Sequence, residues 1–233
     1  ERRIRELGQE TLFLTPEEAL LKLRSDKPKG IVLSGGPASV YEKGAPTIDR
    51  KIFDLGIPVL GICYGMQLHS YLLGGKVVSG KKEYGPAVIK IKSQNSNFKI
   101  AEQLPKEFRV WMSHGDEVIA VPSGTETIGS TSQVPYAFVE NRKGKFIGVQ
   151  FHPEVEHTEN GMTIFRNFIK ICGLKIGEKK FDLKRIKADI RKQVGSAYVI
   201  GAISGGVDST VAGILTAYSI GKHFIPVYVD NGF

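Results

Sequence analysis

The stretch Ile57-Pro58-Val59-Leu60-Gly61-Ile62-Cys63-Tyr64-Gly65-Met66-Gln67-Leu68-His69 decides how the chain folds. Its apolar run, Ile57 to Ile62, reads as a short buried strand. A helical spacing takes over through Leu68, Leu72 and Leu73 and stops at Gly74-Gly75. Cys63 falls at the junction, inside Gly61-x-Cys63-x-Gly65. That is the nucleophile-elbow pattern with sulfur in place of a serine oxygen. Glycines flank the nucleophile because the chain reverses tightly there, and side chains beside it would block the turn. A thiol just before a helix also faces the positive end of the helix dipole, which favours thiolate. An isolated cysteine is more often buried and inert. The flanking glycines, and a histidine further on, argue here for chemistry.

Upstream of the elbow, Gly30-Ile31-Val32-Leu33-Ser34 is a second strand running into Gly35-Gly36-Pro37, and Thr11 to Leu14 is a third candidate. Thr15 as N-cap, Pro16 at N1 and Glu18 at N3 start one helix, and another is expected near Thr47 to Leu55. Strands alternating with helices indicate a largely parallel sheet with ligands at the strands' C-terminal ends. Beyond the elbow the character changes. Ala87 to Lys92, Phe108 to Met112, Val118 to Val121, Tyr136 to Glu140 and Phe146 to Gln150 are short strand candidates, separated by turns such as Pro122-Ser123-Gly124 and Arg142-Lys143-Gly144. The expected fold class is therefore α/β, with a mixed, largely parallel sheet, closed by a helix from about Met162 to Ile171.

At 233 residues the chain has room for one large domain, or one domain plus part of another. A hydrophobic content of 41% with 24% charged residues is ordinary for a globular protein. No apolar run approaches the ~20 residues that span a bilayer, and Glu1-Arg2-Arg3 does not begin a signal peptide, so no membrane partner is expected. Two cysteines, one of them in an elbow, do not make a disulfide framework and point to a reducing cytoplasm. The net charge of +8 is spread out, and the clusters Lys81-Lys82 and Lys179-Lys180 lack interleaved aromatics. A solvated basic surface suited to anionic nucleotide substrates is expected, with no nucleic-acid partner.

The second carrier of chemistry is Gly148-Val149-Gln150-Phe151-His152-Pro153-Glu154-Val155, at the end of a strand. His152 is placed to take the proton of Cys63, and Glu154 to orient the imidazole and stabilise its cation. Residues two apart on an extended segment face the same side, so both can point into one cleft.

Gly61-Ile-Cys63-Tyr-Gly65-Met-Gln67 with Phe151-His152-Pro-Glu154 is similar to the class I glutamine amidotransferases. The resemblance implies a Cys63, His152, Glu154 triad that releases ammonia from glutamine through a thioester. It implies an oxyanion hole made by the amides of Gly36 and Tyr64. It implies glutamine-binding roles for Gln67 and for a loop Ser113-His114-Gly115-Asp116, with Asp116 attracting the α-ammonium; apart from the family, Asp116 is equally a turn-forming aspartate. Ser34-Gly-Gly-Pro-Ala-Ser39-Val-Tyr41, Lys82-Glu83-Tyr84-Gly85, Trp111-Met-Ser113-His-Gly-Asp116 and His152-Pro-Glu-Val-Glu-His157-Thr158 resemble the GMP synthetase branch. His157 reads as structural, with a contact between domains as the alternative; His69 and Cys172 read as packing residues.

The other end of the chain argues independently. Gly173 to Lys180 is a charged, glycine-bearing junction, after which Asp182 caps a helix with apolar Leu183, Ile186, Ile190 and Val194. Tyr198 to Ile203 is a strand, with Ser204-Gly205-Gly206-Val207-Asp208-Ser209-Thr210 at its tip and a helix from Val211 to Ile220 beyond. Strand, Gly-rich turn and helix N-terminus make an anion site. It lacks the spacing and lysine of a Walker A loop. The stretch resembles the pyrophosphate loop of the N-type ATP pyrophosphatases, which implies ATP binding by Ser204 to Thr210 and an Asp208 near the accompanying magnesium. Val227-Tyr-Val-Asp230-Asn-Gly232 resembles the next strand of such a Rossmann-like domain.

Together these resemblances imply an amidotransferase domain over 1–174, a linker at 175–181 and the start of a synthetase domain over 182–233. The substrates implied are glutamine, ATP and XMP, with magnesium and no organic prosthetic group; the products are GMP, AMP, pyrophosphate and glutamate. The family pattern places a first strand before Glu1, and the XMP contacts and a homodimer interface after Phe233. Two alternatives stand beside this: another glutamine-dependent adenylating ligase, and a non-catalytic glutamine-binding module.

Overall fold

In the computed structural model, residues 1–92, 98–143, 145–177 and 182–228 are described, and the chain divides into two units, Glu1–Lys179 and Lys180–Phe233. The first unit opens with helix α1 (Arg2–Glu6), after which Gly8 takes φ +79°. Helix α2 (Pro16–Ser25) starts on the expected capping box: the Thr15 hydroxyl accepts from the Glu18 amide, and the Glu18 carboxylate accepts from the Thr15 amide at 2.8 Å. Strand β1 (Ile31–Leu33), a short 3₁₀ turn at Arg50–Asp54, strand β2 (Val59–Ile62) and helix α3 (Tyr64–Leu72) follow. A long ribbon comes next, β3 (Lys76–Ile91) with β4 (Glu107–Ala120), then β5 (Thr125–Ser130), β6 (Phe138–Asn141), β7 (Phe146–Val149) and α4 (Gly161–Ile171).

These seven strands form one sheet in the order β1-β2-β7-β6-β5-β3-β4. Pairs β1/β2 and β2/β7 are parallel, and the pairs from β7 outward to β4 are antiparallel. The sheet is mixed, as the sequence indicates, but its parallel part is confined to three strands because the β3–β4 ribbon carries much of the rest. Register aligns Leu33 with Gly61 and Gly61 with Gly148, so the three parallel strands end side by side. That is what brings their following loops together.

Strands β2 and β7 are buried along their whole length. Alternate residues face opposite layers. Leu60, Ile62, Ile147 and Val149 pack with Ile164, Phe165 and Phe168 of α4 on one side, while Val59 and Phe146 pack with Met66 and Leu68 of α3 on the other.

The elbow glycines are fixed by contact. A Cβ on Gly65 would lie 2.2 Å from the Leu33 carbonyl oxygen, and one on Gly61 would lie 2.8 Å from the Met66 nitrogen. Helix α3 thus rests with bare backbone on β1 and β2. Gly65→Ala is expected to lower stability by about 1–3 kcal/mol or more, since backbone must move. Gly36→Ala, whose Cβ would meet the Tyr64 side chain at an ordinary 3.7 Å, should not lower it. Urea denaturation of the two variants checks this, and equal midpoints would mean that α3 is not held against β1.

Several expectations from the sequence are corrected. Thr11 to Leu14 is not a strand: Phe13 is 80% exposed, and β-propensity without a neighbouring strand makes no ladder. Ser113 to Asp116 is not a loop, because β4 runs through it and pairs with β3, joining the two strand candidates on either side. The ribbon accommodates this with a register shift between Ser79 and Glu83 and a positive φ of 54° at Lys82. β5 and the first half of β3 were not foreseen, since neither presents an apolar run. The helix expected near Thr47 to Leu55 is only the 3₁₀ turn.

The second unit contains α5 (Leu183–Val194), β8 (Val199–Ile203), α6 (Val207–Ile220) and β9 (Phe224–Tyr228), with β8 and β9 parallel. Asp182 caps α5 as expected, accepting from the amides of Lys184 and Arg185 at 3.0 Å each. Helix α6 begins four residues before the expected Val211, which puts Val207 to Thr210 on its first turn. The residues Asp230 and Gly232, and 178–181 of the expected linker, lie outside the described residues. Among the described residues no helix is long and apolar enough to cross a membrane.

Candidate active site

Cys63 follows β2 and is the residue before α3, with φ +49° and ψ −104°. A non-glycine residue held there is strained, which is how elbows present a nucleophile. The side chain is 3% exposed. The helix-start amides can be accounted for one by one. Cys63 N–H donates to the Val149 carbonyl at 2.7 Å, while Met66 and Gln67 N–H both donate to the Cys63 carbonyl at 3.0 Å. That leaves the Tyr64 and Gly65 amides without a helical acceptor. The Tyr64 amide, directly after the nucleophile, is therefore free to meet a developing oxyanion.

His152 lies beyond β7, where the chain crosses the edge strand β4. Its amide donates to the Trp111 carbonyl at 3.0 Å. The Thr158 hydroxyl donates to the His152 carbonyl at 2.6 Å and accepts from the Trp111 amide at 2.9 Å. Thr158 thus clamps the histidine segment to β4. The His157 ring lies against Trp111, with centroids 4.7 Å apart.

The His152 Nδ1 and a Glu154 carboxylate oxygen are 2.6 Å apart. The pair meets across a turn rather than along the extended segment that the sequence suggested. The Glu154 carbonyl accepts from Arg3 Nε at 2.9 Å, which ties the turn to α1. The Cys63 sulfur and the Glu154 carboxylate hold the imidazolium, pushing its pKa up to about 10 against the opposing effect of burial. His152 Nε2 is buried and makes no hydrogen bond among the described residues, so the sulfur acts on it as a nearby group rather than at hydrogen-bond geometry. Gly35 lines the same spot: a Cβ there would be 3.0 Å from His152 Cε1 and 3.7 Å from Cys63 Cβ. Gly36, by contrast, packs on Tyr64 with room to spare, so space at its own Cβ does not demand glycine.

The expected glutamine-binding residues converge on the same end of the sheet. Buried Gln67 donates to the Asp116 carbonyl at 2.8 Å. His114 Nδ1 lies 3.0 Å from that carbonyl, and the Tyr41 hydroxyl donates to the Asp116 carboxylate at 3.0 Å. Ser113 contributes its carbonyl oxygen, 3.7 Å from the Cys63 sulfur. Gly115 lies between them on β4.

Sequence reasoning did not single out Gln150, Thr158 or the role of Tyr41. Gln150 Nε2 lies 3.5 Å from the Cys63 sulfur. Its signal was a polar residue interrupting the apolar run from Phe146 to Phe151. His69 and Cys172 are packing residues. His69 stacks on Phe146 at 3.5 Å between centroids, with burial pushing its pKa down to about 3. Burial likewise pushes the Cys172 thiol up to about 12.

In the second unit, Ser204 to Thr210 forms the turn from β8 into α6. Gly205 takes φ +82°, and the N-cap Gly206 offers no side chain to the first-turn amides. The hydroxyls of Ser204 and Ser209 lie 3.0 Å apart, and Thr210 donates to the Gly206 carbonyl at 2.8 Å. Residues 204–208 are exposed, Asp208 among them.

Residues 1–172 match a protein family described as glutamine amidotransferase class-I. The GMP synthase (glutamine-hydrolyzing) of Staphylococcus carnosus is 48% identical over 236 residues, covering 99% of this chain and 45% of that protein. The protein of the same name from Aquifex aeolicus is 45% identical over 237 residues, with the same coverage, 99% and 45%. The chain thus spans about half the length of these curated relatives. A crystal structure from Thermoplasma acidophilum, described as a candidate subunit of a GMP synthase, superposes with TM-score 0.66 at 34% identity, covering 74% of this chain and 85% of that one.

Proposed function

The chain belongs to the class I glutamine amidotransferases, and from that membership we propose that its first unit hydrolyses glutamine to supply ammonia for a GMP synthase. The observation that carries this reading is the convergence of Cys63, His152 and Glu154 at the ends of adjacent parallel strands.

The Cys63 thiolate attacks the glutamine carboxamide carbon. Negative charge gathers on the carbonyl oxygen and meets the Tyr64 amide, with the Gly36 amide as second donor. His152, held as imidazolium, gives its proton to the leaving nitrogen as the C–N bond breaks and ammonia departs. Water, deprotonated by His152, then opens the thioester to glutamate. Gln67 and the β4 segment Ser113 to Asp116 bind the amino-acid end, where Asp116 offers a carboxylate to the α-ammonium.

In a protein of the relatives' length, ammonia would serve the ATP-dependent amination of XMP to GMP, with AMP and pyrophosphate released. Ser204 to Thr210 suit the phosphates of substrate ATP: uncapped amides at the start of a long helix, with exposed hydroxyls beside them. Asp208 is the carboxylate there for the magnesium that accompanies ATP.

The test is glutamate release from glutamine, followed before and after alkylation with iodoacetamide, with the modified residue located by mass spectrometry. Release should stop in step with modification of Cys63. Undiminished release once Cys63 is fully modified would overturn the reading.

A further inference from the structure

Gln150 follows β7 directly, is fully buried, and has its backbone amide bonded to the Ala137 carbonyl at 2.9 Å. A buried primary amide needs partners at both ends. Its oxygen accepts from Gln67 Nε2 at 3.4 Å, and its nitrogen lies 3.5 Å from the Cys63 sulfur. The direction of this chain of bonds is set at its far end. The Asp116 carbonyl can only accept, and it takes the same Gln67 nitrogen at 2.8 Å. Gln67 must therefore present NH₂ to Gln150, and Gln150 must present oxygen to Gln67 and NH₂ to the sulfur. One backbone carbonyl of β4 orients two side chains.

The sulfur has a different neighbour for each of its states. The Ser113 carbonyl at 3.7 Å accepts from a thiol but repels a thiolate. The Gln150 NH₂ donates to the sulfur and is worth most when that sulfur is an anion. Other charged and titratable groups around the nucleophile are His152, backed by Glu154, after β7, and His114 and Asp116 on β4. Tyr41 contacts Asp116, and Glu83 of β3 lies 3.4 Å from His114. Gln150 is the uncharged member of this surround and donates at every pH.

We propose that Gln150 is a positioning residue for the nucleophile: its side-chain amide, aimed by Gln67 and the Asp116 carbonyl, holds the Cys63 sulfur as thiolate before substrate arrives. This deepens the reading of Cys63 as the glutaminase nucleophile and rests on it.

Gln150→Met keeps length and neutrality but removes the donor. The pH dependence of Cys63 alkylation by iodoacetamide, followed on the Cys63 peptide so that Cys172 does not contribute, reads the thiolate directly. The midpoint should move up by about one unit, with the rate at pH well below the midpoint falling about tenfold and the high-pH plateau unchanged. Glutamate release should lose kcat with KM little altered.

Gln67→Met leaves Gln150 in place but unaimed, and should move the midpoint in the same direction by less; it carries the test if Gln150→Met does not fold. An unmoved midpoint in a variant that melts like the wild type overturns the proposal. The alkylation midpoint does not depend on glutamine turnover. A shifted midpoint in a chain that never releases glutamate would keep Gln150's role and discard the glutaminase reading instead.

Discussion

Cys63→Ala is expected to abolish glutamate release, by on the order of 10⁶-fold, as when the nucleophile is taken from other triads that act as a unit. The fold should survive. Alanine keeps the Cβ, removes only the sulfur, and leaves the Gly61 and Gly65 contacts that hold α3 on the sheet. The lost hydrogen bonds are the weak ones to sulfur, at 3.5 and 3.7 Å. In a protein of the relatives' length the same substitution should leave GMP formation from ammonium salts largely intact. The reason is a proposed division of labour: the elbow lies in Glu1–Lys179 and the turn proposed to bind phosphate in Lys180–Phe233. Glutamate release and ammonium-dependent GMP formation are measured side by side on one preparation. Equal loss of both in a folded variant would show that Cys63 supports the synthetase chemistry too.

How much of this was legible in the sequence depended on how local the determinant was. The elbow is a rule of adjacent residues: Gly61 and Gly65 leave no alternative to a tight strand-to-helix reversal, and the structure shows backbone atoms where their side chains would be. The capping box at Thr15 and the cap at Asp182 are equally local. Ser113 to Asp116 went the other way. Four polar or small residues read as a turn, yet the neighbouring β3 strand supplies a ladder, and polar residues are tolerated there because Ser113 is exposed while the buried His114 ring meets the Asp116 carbonyl and the Asp116 carboxylate accepts from Tyr41. Thr11 to Leu14 failed for the converse reason, having propensity without a partner strand among the described residues. Glycine Gly36 was picked out by motif and Gly35 was not, although Gly35 is the one wedged against His152. Gln150 and Thr158 could not be ranked from sequence, since their importance comes from contacts with residues 87 and 47 positions away.

Glu154→Gln tests the remaining member of the proposed triad, and pH gives it a signature beyond rate. The carboxylate lies 2.6 Å from His152 Nδ1, and its second oxygen is buried without a hydrogen bond among the described residues. The turn itself is pinned through the Glu154 backbone carbonyl by Arg3, a bond that the substitution leaves alone. Glutamine therefore keeps shape and removes charge. His152 is raised above its ordinary 6.5 to about 10, first by the Cys63 sulfur and then by Glu154. A group whose folded pKa is raised contributes stability that is complete below about pH 6.5 and is lost as pH climbs through about 10. Without the carboxylate, only the sulfur holds the cation, and the folded pKa must fall. Glutamate release should drop by up to roughly four decades, the cost of losing the orienting carboxylate in other triads. Its alkaline limb should move to lower pH, because the imidazolium proposed to protonate the leaving nitrogen is lost sooner. The thermal melting temperature should decline less between pH 7 and 10 in the variant than in the wild type, since there is less pairing left to lose. Rate and melting temperature across that range check both expectations. A variant within about threefold of wild type, with an unmoved alkaline limb, would make Glu154 a structural residue of the turn and leave Cys63 and His152 to act as a pair.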